Sequence, residues 1–164
     1  VGTPSQTAGM HAGALKLLYD LGGFARTRQL LTVMTRQQLD VQVNTGGLSR
    51  IWYGVYGVGE PDLQGRLRAL DLFMGQRAIA CLGTAARLYG FDTENTTAVH
   101  VLDPGVRMRP TLGLMVHQRV GAQLRSVAGR LATAPAWTAV EIARQLPRDL
   151  LPRRPVVAGR LRVA

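Results

Sequence analysis

TRQLLTVMTRQQLDVQVNTGGLSRIWYGVYG, residues 27–57, is the stretch on which the fold turns. Thr27 is placed to cap a short helix that offers Leu30 and Leu31 to a core. Val33 and Met34 then make a turn, and Thr35 opens a second helix. Thr35 with Gln38 three residues on fits a capping box, in which each side chain satisfies an orphan backbone N–H of the other. Leu39 and Val43, at i and i+4, give this second helix one apolar stripe. Gln37, Val41 and Asn44 fall on the opposite face, flanked by Asp40 and Thr45. Gly46 and Gly47 end the helix, because glycine accepts the left-handed conformation that a helix end commonly needs. Leu48, Ile51, Tyr53 and Val55 follow as a strand-like run with a turn near Gly54. Two helices and a hairpin in this order read as a helix-turn-helix followed by a wing. A helix with amides and short polar groups on its free face can enter a major groove, with the wing on the backbone beside it. The same scaffold also serves as a protein-interaction module, so pattern alone leaves both readings open.

Working outward, residues 1–9 are small and polar and are expected to be disordered. Ala14, Leu15, Leu18 and Leu21 form a helical stripe over residues 10–21, closed by Gly22 and Gly23, with Phe24 plugging the core between helices. Residues 57–61 (GVGEP) mark a boundary between an N-terminal winged helix-turn-helix, residues 10–59, and a small mixed α/β domain, residues 60–146. The fold class expected is therefore α+β. In the second part, Leu63, Leu67, Leu70 and Phe73 or Met74 recur at helical spacing, with Arg66, Arg68 and Asp71 on solvated faces. A shorter helix over residues 84–89 is closed by Gly90. Residues 97–103 and 112–118 read as neighbouring strands, the first followed by a turn at Pro104 and Gly105. The loop between carries Arg107 and Arg109. Residues 120–132 supply one more irregular strand. A last helix over residues 134–146 turns Trp137, Val140 and Ile142 or Ala143 inward. An Arg/Pro-rich tail, residues 147–164, is expected to lack fixed structure, apart from a short strand near Val156 and Val157.

The chain of 164 residues is long enough for one ordinary domain or two small ones, and it carries a formal net charge of +10. Nineteen of its twenty basic residues are arginine and only Lys16 is lysine. The last part is the most basic: residues 111–164 hold nine basic and two acidic side chains, against five and three in residues 1–60. Such a balance favours polyanions through counterion release without saying which. Cys81 is the single cysteine, which excludes an intramolecular disulfide and a multi-cysteine zinc site and fits a reducing cytosol. It lies in an apolar run and reads as a buried, inert thiol. No stretch approaches the roughly twenty apolar residues needed to span a bilayer, and no secretory signal is visible.

A metal-dependent nuclease needs clustered carboxylates with a lysine or histidine nearby. The predicted strands offer no carboxylate pair, and Lys16 lies in the first helix. Ser5, Ser49 and Ser126 sit in no nucleophile-elbow context, and the glycines at 54, 57 and 59 are turns rather than a dinucleotide motif. His100 and His117 fall in the two predicted strands and become neighbours if those strands pair. Histidines packed against a small core are the commoner outcome; a two-histidine metal site or an acid–base pair with Asp103 nearby is the rarer one. The reading is therefore of a non-enzyme without cofactor, metal site or small-molecule substrate.

GLSRIWYGVYGV, RLRALDLFMGQRAIACLGTAARLYGFD, AVHVLDPGVRMRPTLGLMVHQ and WTAVEIARQL occur in that order. This succession resembles the bacterial AbiEi-type antitoxin family, part of type IV toxin-antitoxin systems. It equally resembles related actinobacterial proteins that carry the region ahead of a Vsr-like endonuclease domain, a domain with no counterpart in this sequence. The likeness covers residues 10–146. It implies a cytoplasmic transcriptional regulator whose winged helix-turn-helix binds double-stranded operator DNA and represses its own operon. The following α/β domain is associated with neutralising a nucleotidyltransferase-like toxin. Carried over by position, Arg36, Gln37, Val41 and Asn44 lie in or near the reading helix and Arg50 in the wing, while Arg26 and Arg28 flank the first helix within reach of phosphates. The wing has Trp52 and Tyr53 where the family more often has basic residues, which weakens the expected phosphate grip. A nuclease-less remnant of the endonuclease-family proteins, or an interaction module without DNA binding, are the alternatives.

Overall fold

The computed structural model describes residues 11–91, 97–105, 111–118 and 120–145. The expectations for residues 1–9, for Arg107 and Arg109 and for the Arg/Pro-rich tail lie outside them. Among the described residues, six helices and three small sheets make a mixed α/β architecture. The first helix, α1 (Ala12–Asp20), buries Ala14 and Leu18, whereas Leu21 beyond its end is exposed. Phe24 packs, partly buried, against the core that includes Leu67 and Leu70, as expected of a core residue, but from a strand. It opens a short strand, β1 (Phe24–Arg26), that pairs antiparallel with β3 (Val55–Gly57). With β2 (Ser49–Trp52) on the other side of β3, the sheet runs β1-β3-β2.

Between β1 and β2 lie α2 (Thr27–Leu30) and α3 (Arg36–Asn44). Arg26, not Thr27, is the N-cap of α2. The Thr27 backbone N–H donates instead to the Gly54 carbonyl at 2.9 Å, tying the helix start to the hairpin turn. Only Leu30 of the expected leucine pair is buried; Leu31 is 42% exposed. Gly54 turns β2 into β3 with φ +69°, a conformation that β-carbon sterics deny most residues. Ala14, Leu18, Ala25, Leu30, Met34, Leu39, Leu48 and Tyr56 form one core, against which Val33 and Val43 pack.

A second core crosses the hairpin. Trp52 and Val55 pack with Leu67 and Leu70 of α4 (Leu63–Met74) and with Val99, Val101 and Leu114. Asp62 caps α4, its Oδ1 accepting from the Gly65 N–H at 2.7 Å. α5 (Leu82–Tyr89) starts two residues earlier than the sequence indicates and ends at Gly90 with φ +75°. β4 (Val99–Leu102) and β5 (Leu114–His117) are parallel neighbours, with Val99 opposite Leu114 and Leu102 opposite His117. Residues 120–132, expected as one strand, instead begin an antiparallel hairpin of β6 (Leu124–Val127) and β7 (Arg130–Thr133). Ala80 joins the two strand pairs, bridging Val101 on one side and Ala132 on the other. Residues 79–81 thus act as a very short central strand. Their backbone bonds to Leu131, Thr133, His100 and Leu102 show why a run too brief for any periodicity still sits at the centre. α6 (Pro135–Gln145) packs against α5. It buries Thr138 fully and half-buries Trp137 and Ile142, but leaves the expected core residue Val140 52% exposed.

Candidate nucleic-acid interface

Helix α3 is held by its start and by one stripe. Thr35 Oγ1 accepts from the Gln38 N–H at 3.2 Å and Gln38 Oε1 accepts from the Thr35 N–H at 2.8 Å, so both halves of the capping box are present. Leu39 is buried and Val43 is packed against the same core. At the other end the Thr45 hydroxyl donates to the Val41 carbonyl at 2.9 Å. Gly46 follows with φ +76°, and a β-carbon on Gly47 would stand 2.4 Å from Gln42 Oε1. Nine residues ordinarily make a marginal helix on their own; here a double cap, a packed stripe and a glycine pair fix its ends and its rotation.

That rotation decides which side chains are free. Arg36, Gln37 and Asn44 are exposed, and Val41 is 49% exposed between them. Positions 37, 41 and 44 lie one above another at i, i+4 and i+7, and Asp40 is exposed alongside. The face has hydrogen-bonding amides, one guanidinium and one apolar contact surface, the residue types that read base edges in a groove.

The other expected arginines divide. Arg28, in the last turn of α2, is exposed. Arg50 is exposed on β2, with its guanidinium carbon 5.8 Å from the centre of the Tyr56 ring. Arg26 is turned away from solvent: Nε donates to the Leu72 carbonyl at 2.7 Å and Nη2 to the same oxygen. Its charge serves to dock β1 onto the end of α4, and the structure does not bring it together with the α3 face.

Two further arginines, Arg66 and Arg87, border a cleft. Arg66, expected on a solvated face, is half-buried and lies 5.2 Å from the centre of the Trp52 ring, while the Trp52 indole N–H donates to the Arg66 carbonyl at 2.8 Å. Its guanidinium donates to the carbonyls of Thr97 and Gly113. Burial, and secondarily the nearby Arg87, push Arg66 below the ordinary arginine range, while Glu60 pulls the other way. No sequence signal marks this residue, since its spacing from Leu63 and Leu67 suits an exposed flank as well as a covered one.

Asp71, also expected on a solvated face, forms a bidentate pair with Arg130, Oδ1 to Nη1 at 2.8 Å and Oδ2 to Nη2 at 2.7 Å. Asp71 Oδ1 also accepts from the Ala78 N–H at 2.7 Å. His100 and His117 do meet, Nδ1 to Nε2 at 3.0 Å, with rings stacked 5.2 Å apart. Burial lowers the His100 pKa from its ordinary value, so the neutral ring is favoured. Among the described residues no group of three or more His, Cys, Asp or Glu is arranged to hold a metal ion. Cys81 is buried at the start of α5. No helix among the described residues is long and apolar enough to cross a membrane.

Residues 78–151, from the central Ala80 strand through α6, match the family model described as the AbiEi antitoxin C-terminal domain. Over these residues the sequence is similar to the AbiEi-type antitoxins. Two uncharacterized proteins of Mycobacterium tuberculosis, from two strains, are each 79% identical to this chain over 115 residues. That alignment takes in 70% of the chain but 42% of either relative, so the chain spans less than half the length of these curated relatives. The AbiEi-type match leaves α1 to α4 outside its bounds, and with them the free face of α3.

Proposed function

We propose that this chain is a DNA-binding regulator of antitoxin type, with no catalytic activity of its own. In this reading residues 10–59 are a winged helix-turn-helix. The α3 helix enters the major groove, and the β2–β3 hairpin is the wing beside it. Gln37 and Asn44 read base edges, Val41 contacts a thymine methyl or a sugar, and Arg28, Arg36 and Arg50 neutralise phosphates. The α/β part, residues 60–146, faces a toxin of nucleotidyltransferase type, and the protein represses the operon that encodes both in the cytoplasm. One observation carries the reading: Leu39 and Val43 face the core while Arg36, Gln37, Val41 and Asn44 stand outside on a helix fixed at both ends.

The test is a gel-shift titration against the gene's own upstream region and against scrambled duplex of equal length, at several salt concentrations. Specific binding is expected to exceed binding to the scrambled duplex by roughly three orders of magnitude or more. Equal affinity for both duplexes, or none for either, would count against a dedicated repressor.

A further inference from the structure

Among the described residues, the sheet of the α/β part has two outer strands. Ala80 bridges Val101 of β4 on one side and Ala132 of β7 on the other, so β5 lies outside β4 and β6 outside β7. In the first sheet the outer strands are β1 and β2. An outer strand presents a row of unpaired backbone groups, and proteins commonly blunt it with a charged side chain. Arg26 stands on β1, Arg50 on β2 and Arg125 on β6. β5 is the exception: LGLMVHQ, residues 112–118, contains no Asp, Glu, Lys or Arg. The strand is also apolar where it meets solvent, with Leu112 99%, Met115 49% and Val116 43% exposed.

The backbone shows which groups of β5 are spare. The Gly113 carbonyl accepts from the Val99 N–H at 2.8 Å, and the His117 carbonyl from the Asp103 N–H at 2.9 Å. Successive residues of a strand direct their N–H and C=O to opposite edges. Residues 113, 115 and 117 therefore turn theirs to β4, and Leu114 and Val116 turn theirs outward. The Leu114 N–H is taken by the Thr111 carbonyl at 3.1 Å. The Leu114 carbonyl and both backbone groups of Val116 are left on the open edge, where no described residue meets them.

We propose that β5 is a dimerisation edge whose occupant is β5 of a second copy of this chain. A row of N–H and C=O groups is matched by another extended segment. That segment has to be uncharged, because β5 offers no ion partner of its own. A second β5 meets both conditions, and among the described outer strands of this chain it alone does. The neutral strip also lets two copies approach without the repulsion that a net charge of +10 imposes elsewhere. Run antiparallel about a two-fold axis, the pair closes on itself and leaves neither copy with an open β5. With the axis at Val116, each Val116 N–H donates to the carbonyl of Val116 of the partner subunit, and the two side chains cover one another. The inference stands whether or not α3 reads DNA; if it does, the dimer carries two reading helices and the operator two half-sites.

The experiment follows the full chain by sedimentation velocity, in about 0.3 M salt to screen its net charge. Over protein concentrations from about 1 to about 200 µM, the mass is expected to rise from the 17.8 kDa monomer to twice that value. Val116→Lys sets like charges opposite each other across the axis and is expected to raise the dissociation constant about tenfold or more, with far-UV circular dichroism unchanged. Val116→Cys tests the register without depending on that variant. Opposed residues of an antiparallel pair lie about 4.5–5.5 Å apart at Cα, within disulfide reach. Mild oxidation is therefore expected to cross-link Val116→Cys, but neither Leu124→Cys on β6 nor wild type, whose single cysteine, Cys81, is buried. A wild type that stays at monomer mass throughout the range overturns the proposal and leaves the edge to another occupant. A dimer in which Leu124→Cys cross-links and Val116→Cys does not overturns it too, because the contact then lies on a different edge.

Discussion

Asp71 and Arg130 illustrate how much of the molecule rests on individual residues that look unremarkable in the sequence. Fifty-nine residues apart, they form a two-pronged pair whose arginine is 7% exposed. Arg130→Leu leaves the carboxylate without its charge partner, and a loss of about 3 kcal/mol is expected in denaturant titration. A change under 0.5 kcal/mol would show the pair to be solvated rather than structural. His100 makes a second prediction. Burial holds its folded pKa below the ordinary 6.5, so the unfolded chain takes up protons first as pH falls. The contribution of the neutral ring is complete above 6.5 and is lost on acidification towards the folded pKa. Protonating both rings would also place two cations 3.0 Å apart. Melting temperature followed from pH 8 to pH 5 should therefore fall below 6.5, and less steeply in His100→Gln; parallel profiles would exclude this source. The proximity of the two histidines was legible in the sequence, because both predicted strands exist. The Asp71–Arg130 pair was not: nothing local tells an exposed helical carboxylate from one that faces a strand sixty residues away.

At the scale of the element, α3 is the best-marked segment. Its capping box, apolar stripe and glycine stop are all local features, written within twelve residues, and the structure shows each of them. Thr35→Ala removes the side-chain acceptor at the N-cap and is expected to cost about 1 kcal/mol in thermal or urea melts. Gln37→Ala, on the free face, should leave the melt within 0.5 kcal/mol of wild type. If α3 reads bases, the same substitution reduces discrimination between operator and altered duplex by about 1–3 kcal/mol. A melt that moves while discrimination does not would place Gln37 in packing instead. Other elements were less legible. The β6–β7 hairpin hides in a stretch that mixes glycine, arginine and small residues. β1 is three residues long, below any reliable alternation, and exists because β3 offers it a partner.

Across the whole molecule, the hairpin belongs to two cores at once. Tyr56 enters the cluster with α1, α2 and α3, while Trp52 and Val55 enter the one with α4, β4 and β5. The two chain halves are thereby coupled through four-residue and three-residue strands. Trp52→Ala is expected to cost about 3–5 kcal/mol and to lower one shared unfolding transition. Far-UV circular dichroism and a probe on α3 should then melt together; two separated transitions would show the halves to be independent.

The sequence by itself determined the local story: where α3 starts and stops, which of its faces is apolar, where glycines permit a turn, and that the later half runs from helices through strands to a last helix. Those are short-range choices, set by caps, spacing and backbone sterics within a turn or two of chain. Tertiary structure alone decided the partners: that β1 joins β3, that Ala80 links two strand pairs, that Arg26 bends inward to the Leu72 carbonyl, and that Arg66 lies against Trp52. Each of these is a long-range contact with no periodic signature. Whether a charged side chain faces solvent or a neighbour is fixed only when the rest of the chain arrives beside it.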